Sequence, residues 1–184
     1  MALIASALPL DERLEMLRGV VSVIPKIGKT ALMKCVFLLQ RVYKINLGYN
    51  FELYTYGPYS AEVMEDIDYA VQVGYIGMER YMLSGGSLGY RFSVPETISK
   101  SLVGTDYGNK IEQLAQHFPE YTAKEWEMAA TIVFIYTLYI MNNWDLSDFL
   151  ETIQNIKPHF SLNEIEEERA HLETIGFLCR DAVG

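Results

Sequence analysis

Between residues 45 and 79 this chain carries not one lysine or arginine, although it has 15 of them in 184 residues. The gap excludes that segment as a phosphate-tracking surface, because nucleic-acid backbones are held largely by cationic side chains. Acids are present there: Glu52, Glu62, Glu65, Asp66, Asp68 and Glu79 fall in the same window. Cysteine is scarce as well. Cys35 and Cys179 lie far apart in apolar helical patterns, which offers no disulfide framework and no Cys-x-x-Cys metal or redox motif. Both are expected as buried free thiols of a reducing, cytoplasmic compartment. No apolar run reaches the roughly 20 residues that a bilayer-spanning helix needs. The strongest, 129–141, has 13 residues including two threonines and reads as a core helix. No basic residue precedes the mild apolar run of the first ten residues, so a secretory leader is not indicated and no membrane partner is expected.

The chain does hold enough apolar side chains, 50%, to bury a core, and only 21% charged ones, which rules out global disorder. Its formal charge of −9 argues against a generally basic nucleic-acid coat. That charge is uneven. Residues 1–104 carry ten basic and ten acidic groups, whereas 105–184 carry five and fourteen. Residues 11–44 hold seven basic against three acidic groups, so attraction for an anion would begin there.

Periodicity divides the chain at the same place. A helix is expected over 11–22, capped by Asp11, and a second over 29–47 with Leu32, Cys35, Val36, Leu39, Val42 and Tyr43 as its apolar stripe. Lys34, Arg41 and Lys44 are placed on its solvent side. A short strand over 51–56 ends at Gly57-Pro58, and Ser60 caps a helix that Gly74 stops. The runs 76–83 and 88–94 bracket Ser84-Gly85-Gly86-Ser87, a hairpin signal. Residues 97–108 read as a connector. Helices are then expected over 108–117, 123–141, 146–156 and 162–178. Thr122 with Glu125 and Ser161 with Glu164 have capping-box spacing, and Asp145 stands as a further cap. The fold class is therefore α+β and mostly helical. A winged-helix-like core with a β-hairpin wing (1–104) is followed by a helical bundle (105–184) packed on it as one unit.

The segments Lys29-Thr30-Ala31-Leu32-Met33-Lys34, Phe37-Leu38-Leu39-Gln40 and the run from Phe51 to Ser60 through Tyr54-Thr55-Tyr56-Gly57-Pro58-Tyr59 resemble the YwgA-like family of prokaryotic proteins. Lys157-Pro158-His159-Phe160-Ser161, with Glu164-Ile165 and Gly176-Phe177, resembles that family's closing helix. The chain is more distantly similar to Panacea and SocA-like domains, which serve as antitoxins or protease adaptors through protein contacts. The resemblance implies a winged-helix-like α+β core and brings no catalytic set.

The residues themselves are sparing with chemistry. Gly28-Lys29-Thr30 suggests a phosphate loop, but the signature needs a glycine where Val23 stands and a strand where 11–22 has helical period. An anion at a free helix start remains an option. His117, His159 and His171 lack His-x-x-x-His company. Glu167 and His171 lie one helical turn apart on a charged surface, a weak metal pattern. No Gly-x-Ser-x-Gly elbow occurs. Neither an enzyme nor a cofactor is expected.

Two functional readings follow. In the first, Tyr54, Tyr56 and Tyr59, together with Glu62, Asp66 and Tyr69 on the next helix, form a contact surface for a protein partner, basic if the acids take part. The same tyrosines could instead pack the strand-to-helix corner. In the second, Lys26, Lys29, Lys34, Arg41 and Lys44 contact DNA, provided they share one exposed surface. The helix before the wing is acidic where base edges and phosphates require donors, which favours the protein partner over nucleic acid. A homo-oligomer is compatible with either.

Overall fold

A computed structural model describes residues 7–82, 85–86, 88–95, 102 and 104–179. Helix α1 (Leu10–Val23) begins behind Pro9, whose fixed φ suits the extended cap position, and not behind Asp11. Asp11 and Glu12 lie in the first turn, where a negative charge complements the helix dipole. Helix α2 (Lys29–Arg41) is buried without interruption from Ala31 to Leu39. Its neighbours explain why: α1, two hairpins and three further helices all pack around it.

Helix α2 stops at Arg41 and does not continue to residue 47. Lys44 takes a positive φ of 55°, and the chain turns into an extended run. Ile45, Leu47 and Tyr49 are buried there while Asn46, Gly48 and Asn50 are exposed. Period-two burial replaces the helical period because those three side chains reach the core only from an extended backbone.

The strand expected over 51–56 is a hairpin. Strand β1 (Glu52–Tyr54) pairs antiparallel with β2 (Gly57–Tyr59), with Glu52 opposite Tyr59 and Tyr54 opposite Gly57. Gly57 does not end a strand; it starts the return strand at a φ of 84°. Helix α3 (Ala61–Gln72) follows, its N-terminus capped by Ser60, with Gly74 left-handed beyond its end as expected. Val63, Ile67 and Ala70 face the core. The second hairpin joins β3 (Gly77–Met82) to β4 (Leu88–Ser93), from Gly77 opposite Ser93 to Met82 opposite Leu88. Half of the expected connector, residues 97–101 and 103, lies outside the described residues, as do 96 and, at the wing tip, 83, 84 and 87.

The remaining elements are helices: α4 (Asp106–His117), α5 (Ala123–Asn142), α6 (Leu146–Ile156) and α7 (Leu162–Thr174). Thr122 and Ser161 form complete capping boxes with Glu125 and Glu164, and Asp145 accepts from the Asp148 N–H. The Ser161 N–H and hydroxyl, followed by Lys124, hold the Glu164 carboxyl down at about 2. Helix α4 starts two residues early because Thr105 caps it. Helix α7 ends at Thr174, short of 178, since left-handed Gly176 turns Phe177 and Leu178 into the core. The Phe177 ring meets Phe118 at 5.4 Å and Tyr43 at 5.7 Å, both edge-on. Cys35 is buried, but Cys179 is exposed, contrary to expectation, because it lies beyond that turn.

One set of buried apolar side chains runs from Leu14 to Leu178. In α5 the burial is confined to the N-terminal part: Trp126 to Val133 are covered, whereas Met141 is 75% exposed. No helix among the described residues is long and apolar enough to cross a membrane. The surrounded position of α2 makes its interior the most sensitive part of the core. Leu39→Ala at a fully buried site is expected to cost about 2–5 kcal/mol. Urea unfolding measures it, and a loss below about 1 kcal/mol would contradict this packing.

Candidate functional site

The β1–β2 turn presents aromatic rings outward and is held from beneath by charge. Tyr54 and Tyr56 are 62% and 66% exposed, and Tyr59 is 37% exposed. Tyr54 and Tyr59 sit diagonally on the two strands with ring centroids 5.4 Å apart. Tyr56 occupies the turn with Thr55. These rings do not pack the strand-to-helix corner from inside, because Gly57, Pro58 and Ser60 are buried there instead. A hollow of about 400 Å³ opens beside Leu53, Tyr54, Thr55 and Ile156.

Beneath the turn, two lysines are buried, at 3% exposure for Lys34 and 1% for Lys157. Lys34 extends from α2 and donates its Nζ to the Pro58 carbonyl at 2.7 Å. Lys157, at the end of α6, donates to the Thr55 carbonyl and, at 2.7 Å, to Glu127 Oε1 of α5. His159 Nε2 lies 3.6 Å from the same carboxylate oxygen. The two carbonyls on either side of Tyr56 and Gly57 are thus tied to separate helices. An ammonium has three protons to place, and a dry site tolerates it only when acceptors are supplied.

Gly57 is necessary to that arrangement. A Cβ on it would stand 2.8 Å from Thr131 Oγ1 and 3.3 Å from Lys34 Cε, in addition to the strain of its positive φ. Lys34 therefore is not a solvent-facing anion contact. Its pKa is lowered to about 8, first by burial and further by Lys157, while Glu127 pulls the other way.

Asp66 is a second correction. Set among the surface acids by sequence, it is buried and closes a three-part network. Arg13 of α1 donates through Nε to Asp66 Oδ2 at 2.8 Å and through Nη2 to Oδ1 at 3.3 Å. The Tyr49 hydroxyl donates to Oδ2 at 2.6 Å. Burial, then the bond to Asp66, drives the Tyr49 pKa far up, so the phenol stays protonated. This network joins α1, the 45–51 run and α3.

The remaining sequence-selected residues divide. Tyr69 is 44% exposed on α3, and Glu62 is half-buried, bonded by Ser60 and Asn50, which lower its pKa in that order. The basic set does not gather on one surface. Lys29 pairs with Asp68 at 3.4 Å and lies over the Tyr90 ring at 4.8 Å. Arg41 is at the other end of α2, about 18 Å away at ~1.5 Å per residue, and donates to Thr137 Oγ1 at 2.8 Å. Lys26 and Lys44 are exposed in left-handed positions flanking the helix.

Glu167 and His171 do not form a pair, because Glu167 is exposed while His171 turns inward. Glu168 is the buried acid of α7; it accepts from Tyr121 at 2.9 Å, and its pKa is raised by burial. No cluster of three His, Cys, Asp or Glu able to hold a metal ion occurs among the described residues. Glu127, Lys157 and Glu168 escaped the sequence reading, since a charged residue on a helix ordinarily reads as solvent-facing. Glu127 had one signal: it is the one charged residue in the run from Trp126 to Ile135.

Removing the shared carboxylate leaves two buried ammonium groups without it, so Glu127→Gln is expected to lose about 3–5 kcal/mol in chemical unfolding. A loss below about 1 kcal/mol would deny the cluster its structural weight. Lys34 also predicts a pH effect. Its folded pKa lies below the ordinary 10.5, so between pH 8 and 10.5 the unfolded chain binds more protons and stability rises with pH. Tyr43, raised to about 12 by burial, opposes this above pH 10, where the unfolded phenol ionises. Buried Cys35, its thiol pushed up, opposes this over the same range. The Lys34 contribution, a gain on the order of 2 kcal/mol between pH 8 and 10, is therefore read as the difference between the parent chain and Lys34→Met. An unchanged slope in that variant would assign the effect elsewhere.

Comparison of the chain with protein-family models, with curated proteins and with solved structures returned no match.

Proposed function

We propose that this chain is a non-enzymatic regulatory protein of winged-helix-like build, acting in the cytoplasm through protein–protein contacts in the manner of an antitoxin or adaptor. The observation that carries the reading is the exposed trio Tyr54, Tyr56 and Tyr59 on a turn tied from below by Lys34 and Lys157. Tyrosine supplies a large amphipathic contact area with few torsions to freeze, and a turn fixed in advance lowers the ordering cost of association. Rings gathered on one exposed turn form the kind of contiguous apolar surface that marks contact sites.

Order and charge support the same reading. Helices α1 and α2, a small hairpin, α3 and the β3–β4 hairpin follow one another as in a winged-helix core. The helix that would enter a DNA groove is α3, whose exposed residues include Glu65, Asp68, Tyr69 and Gln72. Carboxylates there repel phosphates. The resemblance to the YwgA-like family, and through it to antitoxin and adaptor domains, points toward a protein partner as well.

Changing Tyr54, Tyr56 and Tyr59 together to Ser is expected to abolish recovery of a stoichiometric partner from the native host, with the unfolding temperature nearly unchanged. The competing outcome is tight duplex binding that weakens steeply with salt and is lost on Lys26→Ala with Lys29→Ala. That result, with partner recovery indifferent to the tyrosines, would replace this proposal with DNA binding.

A further inference from the structure

A second recess, separate from the tyrosine turn, lies between α2, the 49–51 segment and α5 and has a volume of about 240 Å³. Its aromatic lining is Phe37, Phe51 and Phe134, together with Tyr49. Phe37 meets Phe51 edge-on at 5.2 Å and Phe134 at 6.0 Å, so the rings hold one another in place. Gln40 fixes the wall by bonding both ways to one backbone residue: its Nε2 donates to the Tyr49 carbonyl at 2.7 Å and its Oε1 accepts from the Tyr49 N–H at 3.0 Å.

The charge of this recess is unlike that of the chain as a whole. Among the described residues no Asp or Glu lines it, and Arg41 is the one charged residue that does. Among the described residues Arg41 has no carboxylate partner, although the protein carries nine more acidic than basic groups. Its Nη2 donates to Thr137 Oγ1 at 2.8 Å, which anchors the guanidinium to another lining residue. A planar fork held by one bond keeps further N–H groups for an acceptor, and its geometry matches a carboxylate. Lys44 adds positive potential at the same end of α2. Burial and then the nearby Arg41 lower the Lys44 pKa, which records the repulsion of the two cations.

We infer that this cleft binds a small monocarboxylate with a flat apolar body, its carboxylate on Arg41 and its body against Phe37, Phe51 and Phe134. The volume equals about eight water-sized shares at ~30 Å³ each, enough for one ring and a short acid arm. The aromatic edges suit a ring face or edge, and the Arg41 guanidinium selects charge. The free carboxyl end of a peptide offers the same chemistry from a larger source, and the experiment separates the two.

Calorimetric titration of the full chain with phenylacetate, and with phenylacetamide as the uncharged analogue, tests the site. Saturable one-to-one binding of phenylacetate is expected, at least about tenfold tighter than the amide, as the loss of one charge-assisted contact predicts. Arg41→Gln should remove that preference, and Arg41→Lys should restore part of it. Leu138→Trp, which fills the cleft without touching the charge, should block acid and amide alike. This variant keeps the test decisive if Arg41→Gln does not fold. Equal binding of acid and amide, binding indifferent to Arg41→Gln or Leu138→Trp, or no saturation by phenylacetate would each overturn the inference. So would binding confined to a phenylalanine-ended peptide with a free carboxyl terminus.

Discussion

Burying two ammonium groups under a single two-residue turn is the constraint to which the rest of this protein answers. Each charge removed from water must find acceptors or forfeit several kcal/mol. Glu127 on α5 supplies the countercharge for Lys157, and the carbonyls of Thr55 and Pro58 supply the remaining contacts. Those contacts require α2, α5, the end of α6 and the first hairpin to meet at one point. Gly57 is the residue that permits the approach, since the space a Cβ would take is already filled by Thr131 and Lys34. The hairpin is short, yet it borrows rigidity from three helices.

The same accounting decides which charges remain for the surface. Lys34 and Asp66 are spent inside, and Lys29 is largely committed to Asp68 and the Tyr90 face. Exposed rings on the hairpin, exposed acids on α3 and Arg41 in an aromatic cleft are among the features left to meet other molecules. Each is chemically distinct, so a partner at the turn and a small acid in the cleft need not compete.

Much of the helical layout could be read from the chain because its signals are local. Caps at Ser60, Thr122, Asp145 and Ser161, stops at Gly74, and the Gly85-Gly86 turn all act within a few residues. The errors arise where distant partners override local pattern. Tyr54 to Tyr59 reads as a strand and a turn, but Lys34 and Lys157 fold it into a hairpin from 24 and 102 residues away. Asp66 matches its acidic neighbours in type and differs in being buried against Arg13 and Tyr49. The alternation after Tyr43 was visible in Ile45, Leu47 and Tyr49, yet the stripe of α2 ran into it without a break. Exposure of the tyrosines could not be read from sequence, because a ring beside Gly-Pro packs inward or outward according to what lies beneath.

The encirclement of α2 has a consequence for synthesis on the ribosome. Helix α2 is complete at residue 41, but α5, which covers one of its faces, starts at residue 123. At about 5–20 residues per second, the apolar side of α2 waits on the order of 4–16 s for that cover. Over that interval the nascent chain offers an uncovered stripe of Leu, Val and Phe to anything in reach. The N-terminal part thus emerges with one face of its central helix still open, a face that only the second half of the chain covers.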